Sequence, residues 1–153
     1  MSRREQIRMT PEEVEAYLTV EKDLQVASLN ADGSPHLVTM WFAVMEGDVC
    51  FWTYGRSQKI VNLQRDPRVS VLVATGEHYG ELRGVSISGR ARVIEDRDEV
   101  NRIGETVFEK YWMPIEDDAT REGVRAMGIK RLGVRITAEK VVSWDHAKLA
   151  GMY

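Results

Sequence analysis

At 153 residues, 43% hydrophobic and 29% charged, the chain is long enough to bury a core without disulfides and reads as one domain over 1–153. A net charge of −3 gives no general attraction to nucleic acid or membrane, and no nucleic-acid motif is present. The single cysteine, Cys50, excludes a disulfide framework and a cysteine-based zinc site. Thr10-Pro11-Glu12-Glu13 has the pattern of a capping box with proline at the first helical position, which predicts a helix over about 11–20. Residues 24–29 read as a strand that ends at Asn30-Ala31-Asp32-Gly33-Ser34-Pro35. Asp-Gly predicts a tight hairpin there, because both central positions tolerate positive φ. A long strand over 36–44 follows, then a turn at Glu46-Gly47-Asp48 and a third strand over 49–54.

Over 57–64 the apolar period becomes helical, with Ile60, Val61 and Leu63 grouped, and Asp66-Pro67 closes the segment. Residues 68–74 and 84–94 alternate again, and Gly89 interrupts the apolar row as glycine does where a strand bends. Residues 97–112 form an amphipathic helix through Val100, Ile103, Val107 and Tyr111. A shorter helix over about 119–127 follows an acidic start. The last strand, 132–136, leads through Thr137-Ala138-Glu139-Lys140 to Val141-Val142-Ser143-Trp144. The expected fold is mainly β with inserted helices, a six-stranded antiparallel barrel, because the first three strands have no crossover helix between them.

His36, His78 and His146 are far apart and lack metalloprotease spacing, so no metal site is expected. No nucleophile elbow, Walker loop or dinucleotide fingerprint occurs. The N-terminus lacks a secretion-type apolar stretch, and the apolar-rich run 37–45 is too short to span a bilayer. A cytoplasmic setting is expected, with Cys50 as a small core residue. The strand-to-helix junction over 54–59 carries the clearest chemistry. Gly55 permits a sharp turn, Ser57 can cap the helix, and free N–H groups with Arg56 and Lys59 favour an anion such as phosphate. A capped surface helix with solvated cations is the competing reading. Trp41, Phe42, Phe51, Trp52 and Trp144 add a second signal. Adjacent strand residues face opposite ways, so one of each pair points out of the barrel and needs a cover.

The stretch Ser57-Gln58-Lys59-Ile60-Val61-Asn62-Leu63-Gln64-Arg65-Asp66-Pro67-Arg68-Val69 resembles the S-x-K-x-x-N-L-x-x-D-P-R-V segment of the pyridoxamine 5′-phosphate oxidase-like split barrels. Asp32-Gly33-Ser34-Pro35-His36, Met40-Trp41-Phe42 and residues 84–91 are similar to the same superfamily. The resemblance covers about 12–146. It implies a split β-barrel homodimer with a cofactor at the subunit interface. Ser57, Gln58 and Lys59, with Arg56 beside them, would contact the cofactor phosphate. Trp52 and Thr53 would contact the ring system, Met40 and Trp41 would line the same pocket, and the partner would supply Trp144 and His146.

The C-terminus lacks the arginine-containing substrate motif of the vitamin oxidases. The Ser-Gln-Lys form and compact size look like the branch that uses F420, the 5-deazaflavin coenzyme. The expected activity is therefore an oxidoreductase moving hydride from reduced F420 to an organic, conjugated or tetrapyrrole-like acceptor, with the cofactor performing the chemistry. Proton donors open at this point are His36, Arg90 and bulk water. The alternatives are an FMN-dependent oxidase or reductase, and a non-enzymatic flavin or haem binder using one of the three histidines. No nucleic acid or membrane partner is expected.

Overall fold

A computed structural model describes residues 1–151. After a short helix α1 (Arg3–Gln6), the chain forms α2 (Pro11–Val20), β1 (Leu24–Leu29), β2 (Pro35–Met40), β3 (Ala43–Met45) and β4 (Asp48–Tyr54). Helix α3 (Gln58–Arg65), β5 (Arg68–Thr75), β6 (Arg83–Ile94), α4 (Arg97–Tyr111), α5 (Asp118–Met127) and β7 (Arg131–Asp145) follow. Single 3₁₀ turns lie at Tyr79–Glu81 and His146–Leu149. No helix among the described residues is long and apolar enough to cross a membrane.

The capping box that starts α2 is present: Thr10 Oγ1 accepts from the Glu13 N–H at 3.2 Å, and the Thr10 N–H donates to Glu13 at 2.7 Å. The hairpin turns differ from expectation. Both central residues of the turn at Glu46 and Gly47 have positive φ, 47° and 82°. In the Asn30–Pro35 connection only Gly33 does, at 83°, while Asp32 instead accepts from Ser34 N–H. The primed two-residue turn thus belongs to the Glu-Gly pair, and Asp-Gly sits in a longer loop.

The seven strands form one antiparallel sheet in the order β2-β1-β5-β6-β7-β4-β3, which corrects the expected six. The extra strand comes from a break in the predicted strand 36–44. At Trp41-Phe42 the chain leaves β1 and begins to pair with β4, and the Phe42 N–H donates to the Tyr111 hydroxyl at 3.1 Å instead of to a strand. The two edges of the curled sheet are therefore successive segments of chain. At the C-terminus the opposite occurs, since the two predicted pieces are one strand, β7. Its register against β6 shifts at Ser88/Gly89, where Ser88 faces Lys140 and Gly89 faces Ala138, leaving Glu139 as a bulge. A Cβ on Gly89 would stand 2.1 Å from the Thr137 carbonyl oxygen, so only glycine admits this approach.

Two apolar clusters hold the fold. Leu24, Val26, Phe42, Phe51, Val71, Val85 and Val134 fill the inside of the curl, closed by Tyr17 and Leu18 of α2. Cys50 and Trp52 point to the other side of β4 and pack on Ile94, Val100, Ile103, Val107 and Val124 beneath α4 and α5. Burial pushes the Cys50 thiol up to about 12, in keeping with an inert core residue. Two rows of the sheet's outer face stay open: Leu37-Ala27-Ser70-Ser88 and Thr39-Gln25-Leu72-Ser86-Val142. The first row ends on β7 at the exposed Lys140, the second carries no charge, and Leu37 is 68% exposed.

Candidate functional site

The end of β4, the turn after it and the start of α3 form one continuous anchor. The Gly55 N–H donates to the Lys130 carbonyl at 2.9 Å, and the Ser57 N–H to the Tyr54 carbonyl at 3.0 Å. Ser57 is the N-cap of α3, with extended φ and ψ, yet its side chain makes no capping bond. Its hydroxyl oxygen is buried without a partner. The first-turn N–H groups thus have no side-chain acceptor, and a buried donor beside them is unsatisfied.

Lys59 lies two positions beyond Ser57, half-buried and with no carboxylate in salt-bridge range among the described residues. Burial alone pushes its ammonium below the usual lysine value. An uncapped helix start, an orphan hydroxyl and a cation without a carboxylate partner are features that together favour an anion. Gln58 is exposed and its amide donates to Asn62 Oδ1 at 2.8 Å. Asn62, fully buried, in turn donates to Ser28 at 3.1 Å and Asn30 at 3.0 Å, fastening α3 to β1.

A cleft of 280 Å³ next to this anchor brings together Met40, Trp41, Trp52 and Thr53, four of the residues expected to meet a ring system. Tyr54 connects it to a second cleft of 480 Å³ lined by Gly55, Arg56 and Lys130. Sequence reasoning placed Tyr54 in the junction without giving it a contact, and missed Lys130 and Arg131. The Arg131 guanidinium lies 4.7 Å from the Trp52 ring and 5.2 Å from that of Tyr54. Only the β4–β7 pairing, which sets Tyr54 opposite Arg131, places them there.

The aromatic residues divide by environment. Trp52 points out of the curl as expected, but α4 and α5 cover it: a Cβ on Gly104 would stand 2.2 Å from its ring and one on Gly128 2.5 Å. One edge alone reaches the cleft, and protein rather than ligand shields the rest. Phe42 and Phe51 are core. Trp41 is 47% exposed and stacks on Tyr111 at 4.4 Å, with Trp112 edge-on at 6.1 Å. Trp144 lies at the far end of β7, its ring flat on Gly84, and does not join its own chain's cleft. His146 is held by the Tyr79 carbonyl at 2.8 Å, and no histidine lines the 280 Å³ cleft.

Behind Trp41, Lys110 caps the C-terminal end of α2. Its ammonium donates to the Leu18 carbonyl at 3.0 Å and sits 3.5 Å from the Phe42 ring centroid. Burial, then the nearby Lys22 charge, lower its pKa to about 8, with Glu21 opposing weakly. Between pH 8 and the ordinary lysine range the unfolded chain holds this proton more tightly, so stability from this group rises with pH across that window. Melting of wild type and Lys110→Met at pH 7.5 and 9.5 checks it. Wild type is expected to gain on the variant at the higher pH; an unchanged difference would contradict the assignment.

Three comparisons bear on this geometry. A protein-family model described as pyridoxamine 5′-phosphate oxidase matches residues 10–145. The structure is similar to that of the conserved hypothetical protein Rv2991 from Mycobacterium tuberculosis, at 40% identity and a TM-score of 0.94, over 100% of this chain and 95% of that one. An F420 reductase shares the fold at 19% identity and a TM-score of 0.64, over 83% and 94% of the two chains. HutZ, the haem storage protein from Vibrio cholerae, does so at 17% identity and 0.68, over 90% and 96%. No curated protein matches the chain.

Proposed function

The chain belongs to the pyridoxamine 5′-phosphate oxidase family, and on that premise we propose that it is an oxidoreductase holding coenzyme F420 across the start of α3 and the Trp52 cleft. The observation that carries this reading is the pair formed by the orphan Ser57 hydroxyl and the uncompensated Lys59 ammonium at an uncapped helix start. In this arrangement Ser57, Lys59 and the first-turn N–H groups hold the phosphate, with Gln58 and Arg56 at its edge. Met40, Trp41, Trp52 and Thr53 orient the ring and keep water from it. Bound there, the deazaflavin supplies hydride transfer to an organic, conjugated acceptor.

FMN is the alternative for the same pocket, since both carry a phosphate. The neighbouring cleft favours F420, whose lactyl-oligoglutamate tail adds carboxylates beyond the phosphate. Arg56 and Lys130 line that cleft, and no acidic side chain does. The likeness to a solved F420 reductase supports the fold of this reading.

The site is completed by a second copy of the chain. The two outer rows centred on Ser70 and Leu72, uncharged except for Lys140 at the end of the first, are the surface such a copy would cover, and dimerisation is the route by which a partner's Trp144 reaches the cleft. Sedimentation of the purified chain is expected to give a dimer that Leu72→Arg converts to monomer. A monomeric wild type would remove this part of the reading.

Lys59→Ala is expected to weaken cofactor binding by about 1.5–3 kcal/mol, the scale of a charge-assisted hydrogen bond, with an unchanged melting temperature. Fluorescence titration and thermal melting read the two quantities separately. Unchanged affinity in the folded variant would place the phosphate elsewhere.

A further inference from the structure

Between α2 and the β6–β7 bulge, at the margin of the core inside the curled sheet, the packing leaves an opening. A cavity of 590 Å³ opens there, walled by Val14, Leu18, Val44, Ile87 and Val141, with Arg8, Glu15 and Ser143 among its polar lining. This volume falls in the range of about 300–1,000 Å³ common for small-molecule sites. None of its lining residues belongs to the two clefts beside α3. The bulge at Glu139 explains the opening. Val141 pairs with buried Ile87 on an inward-facing row, yet remains 48% exposed. An inward valine left open to solvent beside a cavity is apolar surface without a cover.

The polar groups at one side are donors without acceptors. Among the described residues the Arg8 guanidinium makes no hydrogen bond or salt bridge and has only the longer-range charge of Glu5 for company, while its carbonyl is fixed by Lys148 Nζ at 2.9 Å. The Ser143 hydroxyl accepts from the Met9 N–H at 3.1 Å, and its own proton has no protein acceptor. Glu15, exposed on α2, is the one carboxylate in the lining. A carboxylate head would satisfy both idle donors, whereas an amine head would meet Glu15 but stand beside the Arg8 cation.

We infer that this cavity is a second ligand site, for an ionised aliphatic carboxylic acid with its tail against Leu18, Ile87 and Val141 and its head at Arg8 and Ser143. The site is independent of the cofactor, and its test does not require the cofactor to be bound.

Decanoate, decanol and decylamine, each below its micelle concentration, are titrated into the full-length protein by calorimetry or amide NMR shifts. Decanoate is expected to bind about tenfold more tightly than decanol, Arg8→Ala to abolish that difference, and Val141→Trp to remove binding of both. Cofactor titrations on the same variants are expected to match wild type, which separates failure here from failure of the α3 site. The inference is overturned by absence of decanoate binding, by decylamine binding as tightly as decanoate, or by a folded Val141→Trp that binds normally. Arg8 is exposed, so Arg8→Ala decides the head-group assignment even if Val141→Trp does not fold.

Discussion

Trp52→Ala is expected to destabilise the fold by about 3–5 kcal/mol, the range for removing a large buried aromatic side chain. The ring is 8% exposed and fills space that two glycines, Gly104 of α4 and Gly128 after α5, leave open for it. Neither Gly104 nor Gly128 has a side chain that could turn into the gap. Trp52 therefore joins β4 to both helices while presenting one edge to the cleft. Urea unfolding at 25 °C measures the loss. A change below about 1 kcal/mol would mean that the two helices pack on β4 by other contacts.

The second large effect is at Asn62. Asn62→Ala is expected to cost about 2–4 kcal/mol, because it strands several groups at once. Its amide nitrogen serves Ser28 and Asn30, and its oxygen accepts from Gln58 at 2.8 Å and Arg65 at 3.2 Å. Ser28 is 2% exposed and has no water to turn to. The variant is also expected to lose cofactor affinity, since the start of α3 is no longer tied to β1. Lys59→Ala should lose affinity alone. Loss of affinity without loss of stability in Asn62→Ala would make the residue a direct cofactor contact instead of a positioning residue.

The junction after β4 was legible in the sequence because its signals are local. Gly55, Ser57 and the change of period at Ile60 all act within a few residues, and α3 begins where they place it. The capping box of α2 is legible for the same reason. What the sequence concealed depends on distant pairing. Nothing near Trp41-Phe42 announces that the strand must change partners, since the Tyr111 hydroxyl that takes over the Phe42 N–H comes from α4. Arg131 enters the cleft only through β7's register against β4. Trp52 and Trp144 read alike in the sequence as aromatics of the ring pocket, but one is sealed by helices and the other lies on a sheet glycine. The motif argued for a phosphate, and the neighbouring Arg56 and Lys130 sharpen that toward a ligand with further anionic groups.

The start of α3 is proposed to hold a phosphate-bearing flavin or deazaflavin. Titrating the purified protein with F420 and FMN side by side tests it most directly. Saturable binding of F420 is expected, with a dissociation constant below about 100 μM and tighter than that of FMN. Failure of both cofactors to bind below that concentration would contradict it.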